Sequence, residues 1–182
     1  MSRSRETAAA RAEAAQALGY AVRSMELADV ERVAHVHAEV WRAAYRELLP
    51  GGYLASLNRR EFGDRWRDRL MAPTRSVTEL VGLRPDGSIV ALGSAGPNRD
   101  ADTPTDWELR GLNVLATEQG TGLADMMMRE LIGDRPCSLW VLQGNARAFA
   151  FYARYCFELD GHAKTHRPTG VTEVRMIRGS TY

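Results

Sequence analysis

The segment "EQGTGLA", residues 118–124, holds the clearest chemistry in this sequence. Gly120 and Gly122 stand where an apolar run, "WELRGLNVL", hands over to a helical pattern. In that pattern Leu123, Met127 and Leu131 share one side, with Ala124, Met128 and Ile132 beside them. A helix N-terminus presents unpaired N–H groups and the positive end of the peptide dipoles. Glycines let that backbone approach an anion with no side chain in the way. The turn is therefore a candidate phosphate cradle; the competing reading is a plain strand-to-helix connection. Two familiar phosphate signatures fail here. A P-loop needs Gly-Lys-Ser/Thr, whereas Gly122 is followed by Leu123 and Ala124. A dinucleotide fingerprint needs a glycine where Asp125 stands, and the turn falls late in the chain.

Other reactive residues offer less. His35 and His37 are two apart on an expected helix and diverge. His162 and His166 lie in "DGHAKTHRPTG", where Gly161, Pro168 and Gly170 favour loop or strand. No metal site is expected. Cys137 and Cys156 sit among apolar residues without motif spacing, which reads as reduced core cysteines of a cytoplasmic protein.

The elements that must position the turn follow from periodicity. Residues 1–19, rich in arginine and alanine, read as an N-terminal extension, helical or disordered, without a secretory h-region. "YAVRSM" reads as a strand. One apolar face runs from Val30 to Tyr45 and is broken by Pro50, Gly51 and Gly52. Asn58 with Glu61 marks a helix start. "VTELVGL" and "IVALGSA" flank the turn "RPDGS" as a hairpin. "SLWVLQ", a helix from Asn145 to about Tyr155, and "VTEVRMI" complete the order. This is a mixed α/β or α+β sheet in one domain spanning residues 20–182.

The bulk numbers agree. The chain has 182 residues, 45% of them hydrophobic, and 24 basic residues face 23 acidic ones. A net charge of +1 gives no field for a nucleic acid, and no apolar run is long enough to span a membrane.

"LNVLATEQGTGLA" followed by "NARAFAFYARYCF" resembles the GNAT N-acetyltransferase superfamily. Val114, Gln119, Gly122 and Ala124 match its first motif. Asn145, Ala148, Phe151, Tyr152 and Phe157 match its second, with Cys156 in place of the usual glycine. "EVWRAAYRELLP" also looks like a bacterial branch of that family. The resemblance spans roughly residues 20–178. It implies a mostly antiparallel mixed sheet with one splayed parallel strand pair, flanked by helices. It implies acetyl-CoA as co-substrate, its pyrophosphate on Gln119, Gly120, Thr121, Gly122, Leu123 and Ala124. The pantetheine arm would lie along Leu112, Asn113 and Val114, near Asn145 and Ala148.

The resemblance also implies roles. Tyr152 would be the general acid that protonates the departing thiolate. Glu108 would help deprotonate the amine, and Trp41 and Tyr45 would wall the acceptor pocket. Core packing is the competing reading for Tyr152 and Trp41, and a charge-paired strand residue for Glu108. Asp100, Asp102 and Asp106, if near the cleft mouth, would attract a cationic acceptor; otherwise they form a solvated loop. The expected activity is direct acetyl transfer to a primary amine of a small molecule through a ternary complex. Protein or peptide acetylation and an inactive acyl-CoA-binding module are the alternatives. A homodimer is open to such a chain.

Overall fold

The structure is a computed structural model that describes residues 3–72 and 76–179, with side chains from Glu6 onward. The outermost ends of the two expected regions, residues 1–2 and 180–182, lie outside the described residues.

Helix α1, Arg3–Ala17, forms from an alanine-rich stretch with little side-chain entropy to lose. Gly19, at φ 87°, ends it. Strand β1, Ala21–Ser24, follows. Helix α2, Val30–Ala44, buries Val30, Val33, Ala34, Val36, Ala38 and Val40. Helix α2 already ends at Ala44, before Pro50 and its glycines, which instead begin another helix: α3, Gly51–Ser56, has Pro50 at its N-cap. Proline lacks only an N–H that a first helical turn leaves unused. Helix α4, Arg59–Met71, starts as its sequence signature predicts, with Asn58 accepting a hydrogen bond from the Arg60 N–H at 2.9 Å.

Strands β2, Thr78–Leu83, and β3, Ile89–Pro97, form the expected hairpin. The Asp86 carboxylate accepts from the Ser88 N–H inside its turn. Then come β4 (Trp107–Val114), α5 (Leu123–Leu131), β5 (Cys137–Leu142), α6 (Ala146–Ala153), β6 (Glu158–Thr165) and β7 (Thr172–Arg178). His162 therefore lies on β6 and His166 just beyond it.

The strands make one sheet in the order β1-β2-β3-β4-β5-β7-β6. Only the β4–β5 neighbours are parallel, with α5 as their crossover. Strand β3 is buried at every position from Ile89 to Gly96, and both α2 and α5 pack on it. Helix α1 lies on α5, burying Ala8, Ala12 and Ala15. Cys137 is buried, but Cys156 is exposed, contrary to its expected place in the core. It holds a left-handed φ of 62° at the turn into β6. Neither cysteine is in a disulfide.

Candidate active site

The site begins where the sheet opens. The parallel pair is in register only at Glu108↔Ser138 and Leu109↔Leu139. One residue later β4 carries a bulge: its pairing with β3 passes from Leu109 to Gly111, so Arg110 has no opposite number. A bulge bends and twists its strand. Beyond it β4 and β5 are no longer paired, and a cleft of about 850 Å³ lies between them. Gly111, Leu112, Asn113 and Val114 line one side, and Trp140, Val141 and Leu142 the other. The β4 edge facing the cleft thus has backbone groups free to pair with an extended ligand. The hydroxyl of Ser94, buried and with no hydrogen-bond partner among the described residues, belongs to the same lining.

One end of the cleft is the glycine turn. Gln119, Gly120, Gly122 and Ala124 line it, as do Asn145 and Ala148. No backbone carbonyl of the described residues accepts from the N–H groups of Gly120, Gly122, Ala124 or Asp125. Leu123 differs. Its N–H donates to the Thr121 hydroxyl at 3.3 Å, and its side chain is fully buried, so Thr121 and Leu123 shape the turn from behind. Asn145 caps α6 by accepting from the Ala148 N–H at 3.1 Å. Gly120, at φ 87°, faces open space. Gly122, at φ 94°, does not: a Cβ there would stand 2.2 Å from the Arg11 carbonyl of α1. No local pattern points to this neighbour, which comes from a helix far from Gly122 in the chain. Arg11 also reaches Asp125 at 3.3 Å, where Arg154 approaches at 3.5 Å and the Tyr155 hydroxyl donates at 2.6 Å. Arg11, Arg147 and Arg154 all line this end, which suits an anion.

The other end is aromatic. Trp41 stands in its middle, its ring 5.1 Å from Tyr45, 5.7 Å from His37 and 6.3 Å from His166. The Trp66 indole N–H donates to His37 Nδ1 at 3.1 Å. Burial, with Arg65 and Arg69 nearby, lowers the His37 pKa to about 3, so the ring is neutral. Tyr152 projects from α6 into the cleft. None of the described residues hydrogen-bonds its hydroxyl, and burial, followed by Tyr45 and Cys137, pushes its pKa up. Tyr45 is itself pushed up to about 12 by burial and by Glu173, which also lines the cleft. Tyr152, Tyr45 and Glu173 therefore face a common space.

Two sequence expectations meet a different geometry. Glu108 is not in the cleft lining. It is 1% exposed and gripped by Arg99, whose Nε donates at 2.7 Å and Nη2 at 2.5 Å. None of the three loop aspartates lines the cleft. Asp100 accepts from the Trp140 indole N–H at 2.6 Å, and Asp102 accepts from Arg175, which also holds Asp160. Their charges tie the loop down. Glu173 was missed because "VTEVRMI" reads simply as a closing strand. Arg65 and Arg69, four apart on α4 and both in the cleft, are legible as a same-face pair from their spacing.

The comparisons agree with this geometry. The profile of the Acetyltransferase (GNAT) family matches residues 39–156. The chain belongs to this family of acetyltransferases, with the expected fold. Among its relatives is a Bacillus subtilis protein described as the uncharacterized N-acetyltransferase YuaI. It is 30% identical over 142 residues, which cover 74% of this chain and 78% of that one. The PaiA N-acetyltransferase of Thermoplasma acidophilum, solved with coenzyme A, superposes with a TM-score of 0.66 at 15% identity. The match covers 90% of this chain and 99% of that one. A phosphinothricin acetyltransferase of Sinorhizobium meliloti, solved with acetyl-CoA, gives 0.64 at 15% identity and covers 89% of each chain. Among the described residues no helix is long and apolar enough to cross a membrane, and no group of three or more His, Cys, Asp or Glu could hold a metal ion.

Proposed function

We propose that this protein transfers the acetyl group of acetyl-CoA directly to the primary amine of a small molecule. The observation that carries the reading is the single cleft that joins the glycine turn, the unpaired β4 edge and the aromatic end containing Tyr152. The phosphates fit the free N–H groups at Gly120, Gly122 and Ala124, with Arg11, Arg147 and Arg154 around them. The pantetheine arm fits the β4 edge from Leu112 to Val114, with Asn145 and Ala148 across the splay. Two relatives of the same fold were solved with coenzyme A or acetyl-CoA, which supports the choice of ligand.

One continuous cleft lets both substrates meet, and neither cysteine lines it, so no cysteine is available for a covalent relay. The amine must first lose a proton, since an alkylammonium has no lone pair to attack with. Glu173 is the carboxylate in the right space to draw and accept it, directly or through water. Glu108 could serve only if Arg99 released it. The neutral amine then attacks the thioester carbonyl carbon, and backbone N–H groups of β4 stabilise the oxyanion. As the carbon–sulfur bond breaks, the electron pair stays on sulfur, the Tyr152 hydroxyl supplies the proton, and the proton shed by the acylated nitrogen restores Tyr152, directly or through water. Its raised pKa keeps Tyr152 protonated through the physiological range.

The test is isothermal titration with acetyl-CoA combined with thiol release over a panel of amines and peptides. Binding with amine-dependent thiol release supports the reading. Binding without release would leave the inactive module, and release only with peptides would favour the protein-acetylating alternative.

A further inference from the structure

The acceptor end of the cleft has a charge pattern that no polyamine would choose. Three arginines line it: Arg65 and Arg69 from α4, and Arg110 at the β4 bulge. Among the described residues none of the three is in an ion pair with a carboxylate. Arg65 lies over the Phe62 ring at 4.8 Å and donates to the Glu61 carbonyl. Arg69 lies over the Trp66 ring at 4.9 Å. Arg110 donates through Nη2 to the Pro97 carbonyl at 3.0 Å, while its buried Nε has no partner among the described residues.

Two carboxylates act on this group, Glu108 and Glu79. Glu108 is spent on Arg99. Glu79 acts on Arg69 and Arg110 and lines a neighbouring cavity of about 350 Å³ that the same two arginines border. Desolvation and the crowding of Arg99, Arg110 and Arg65 lower the pKa of Arg69, with Glu79 offsetting part of the effect. Like charges this close are held at a cost unless an anion joins them.

Across Trp41 the sign reverses. There Glu173 stands with Tyr45 and His166, and Lys164 approaches it at 3.9 Å from outside the cleft lining. His37, between the two ends, is neutral and adds nothing to either. The pocket is therefore bipolar, with an aromatic wall between a cationic end and a carboxylate.

We infer that the acceptor carries an anionic group as well as its amine: the guanidiniums of Arg65, Arg69 and Arg110 take a carboxylate, phosphonate or phosphinate, and the amine is directed toward Glu173 and Tyr152. Arginine suits such groups because its planar fork bonds two oxygens at once. The inference rests on the acetyltransferase reading and narrows its substrate class to amino acids and their phosphorus analogues. It also reverses the sign that the aspartate loop suggested.

The experiment uses matched acceptors. Aspartate, glutamate, methionine and 2-aminoethylphosphonate are compared with the corresponding amides or alkylamines, and with spermidine. Each is titrated calorimetrically into the protein with and without coenzyme A, and each is assayed for thiol release from acetyl-CoA. At least one anionic acceptor is expected to bind, and to react with a kcat/KM at least about 10-fold above its neutral partner. Arg69→Gln and Arg65→Gln should reduce that advantage to less than about 3-fold without changing coenzyme A affinity. Both side chains are exposed in the cleft, so both variants should fold. The inference is overturned if neutral amines or spermidine are preferred, if no anionic acceptor binds, or if the preference survives both substitutions. Failure of coenzyme A to bind would instead sink the acetyltransferase reading, and acceptor binding to the free protein would still decide this one.

Discussion

The carbonyl of Arg11 in α1 lies 2.2 Å from the point where a Cβ on Gly122 would stand. Gly122 therefore serves two neighbours: it presents its backbone at the glycine turn, and it lets α1 lie close against that turn. Gly122→Ala must either lift α1 or distort a left-handed residue, and each costs about 1–3 kcal/mol. Gly120→Ala meets nothing within 4 Å and should cost only about 1 kcal/mol for its positive φ. Urea denaturation of the two variants checks this. Equal losses would mean that the contact with α1 contributes nothing.

The two glutamates separate by pH. Glu173→Gln should lower kcat/KM by about 10–100-fold near pH 6.5, where little free amine exists, and the gap should narrow as pH rises. Glu108→Gln should instead leave Arg99 without its charged partner and cost about 1–3 kcal/mol of stability. Its pH–rate profile should keep the wild-type shape. If the profiles are exchanged, Glu108 is the proton acceptor.

His37 makes the fold sensitive to acid. Its pKa falls from 6.5 to about 3 on folding, so the unfolded chain takes up a proton below pH 6.5 while the native ring stays neutral until near pH 3. Stability from this group is complete above pH 6.5 and declines as pH drops toward 3. Protonation at Nδ1 would also break the bond from Trp66. His37→Asn removes the titration and keeps an acceptor for the indole. Between pH 7.5 and 4.5 the wild type should lose about 1–2 kcal/mol more than this variant, a figure reduced because the ring opens onto the cleft. Parallel stability curves for the two proteins would contradict it.

Cys156 occupies a left-handed position with φ 62°. Cys156→Gly should relieve that strain and raise stability by about 0.5–1 kcal/mol, partly offset by the greater freedom of glycine when unfolded. Thermal unfolding at neutral pH measures it. A lower melting temperature would mean that the thiol makes contacts worth more than the strain.

Local signals in the sequence were sufficient for the hairpin at Asp86-Gly87, the caps at Asn58 and Asn145, and the glycine turn. Each depends on residues a few positions apart, which is the range over which capping and turn chemistry act. The features that local patterns leave open are long-range. Glu108 reads equally as a base or as a charge-paired strand residue because its partner, Arg99, comes from a loop whose path only the folded sheet defines. Asp102 looked solvated because the buried Arg175 that binds it arrives 73 residues later. The cationic end of the cleft needs α4 and the β4 bulge together, and no pattern within either segment joins them. The short helix α3 is hidden because Pro50 and two glycines read as helix breakers, whereas Pro50 stands at its N-cap.

The most direct test of the proposed chemistry is the turnover of Tyr152→Phe with saturating acetyl-CoA and an amine acceptor. The substitution keeps the ring's contacts with Phe151 and Phe157 and removes only the hydroxyl. If that hydroxyl protonates the leaving thiolate, kcat falls by roughly 10²–10⁴ while the Kd for acetyl-CoA is unchanged. Turnover equal to wild type would contradict the account and return Tyr152 to a packing role.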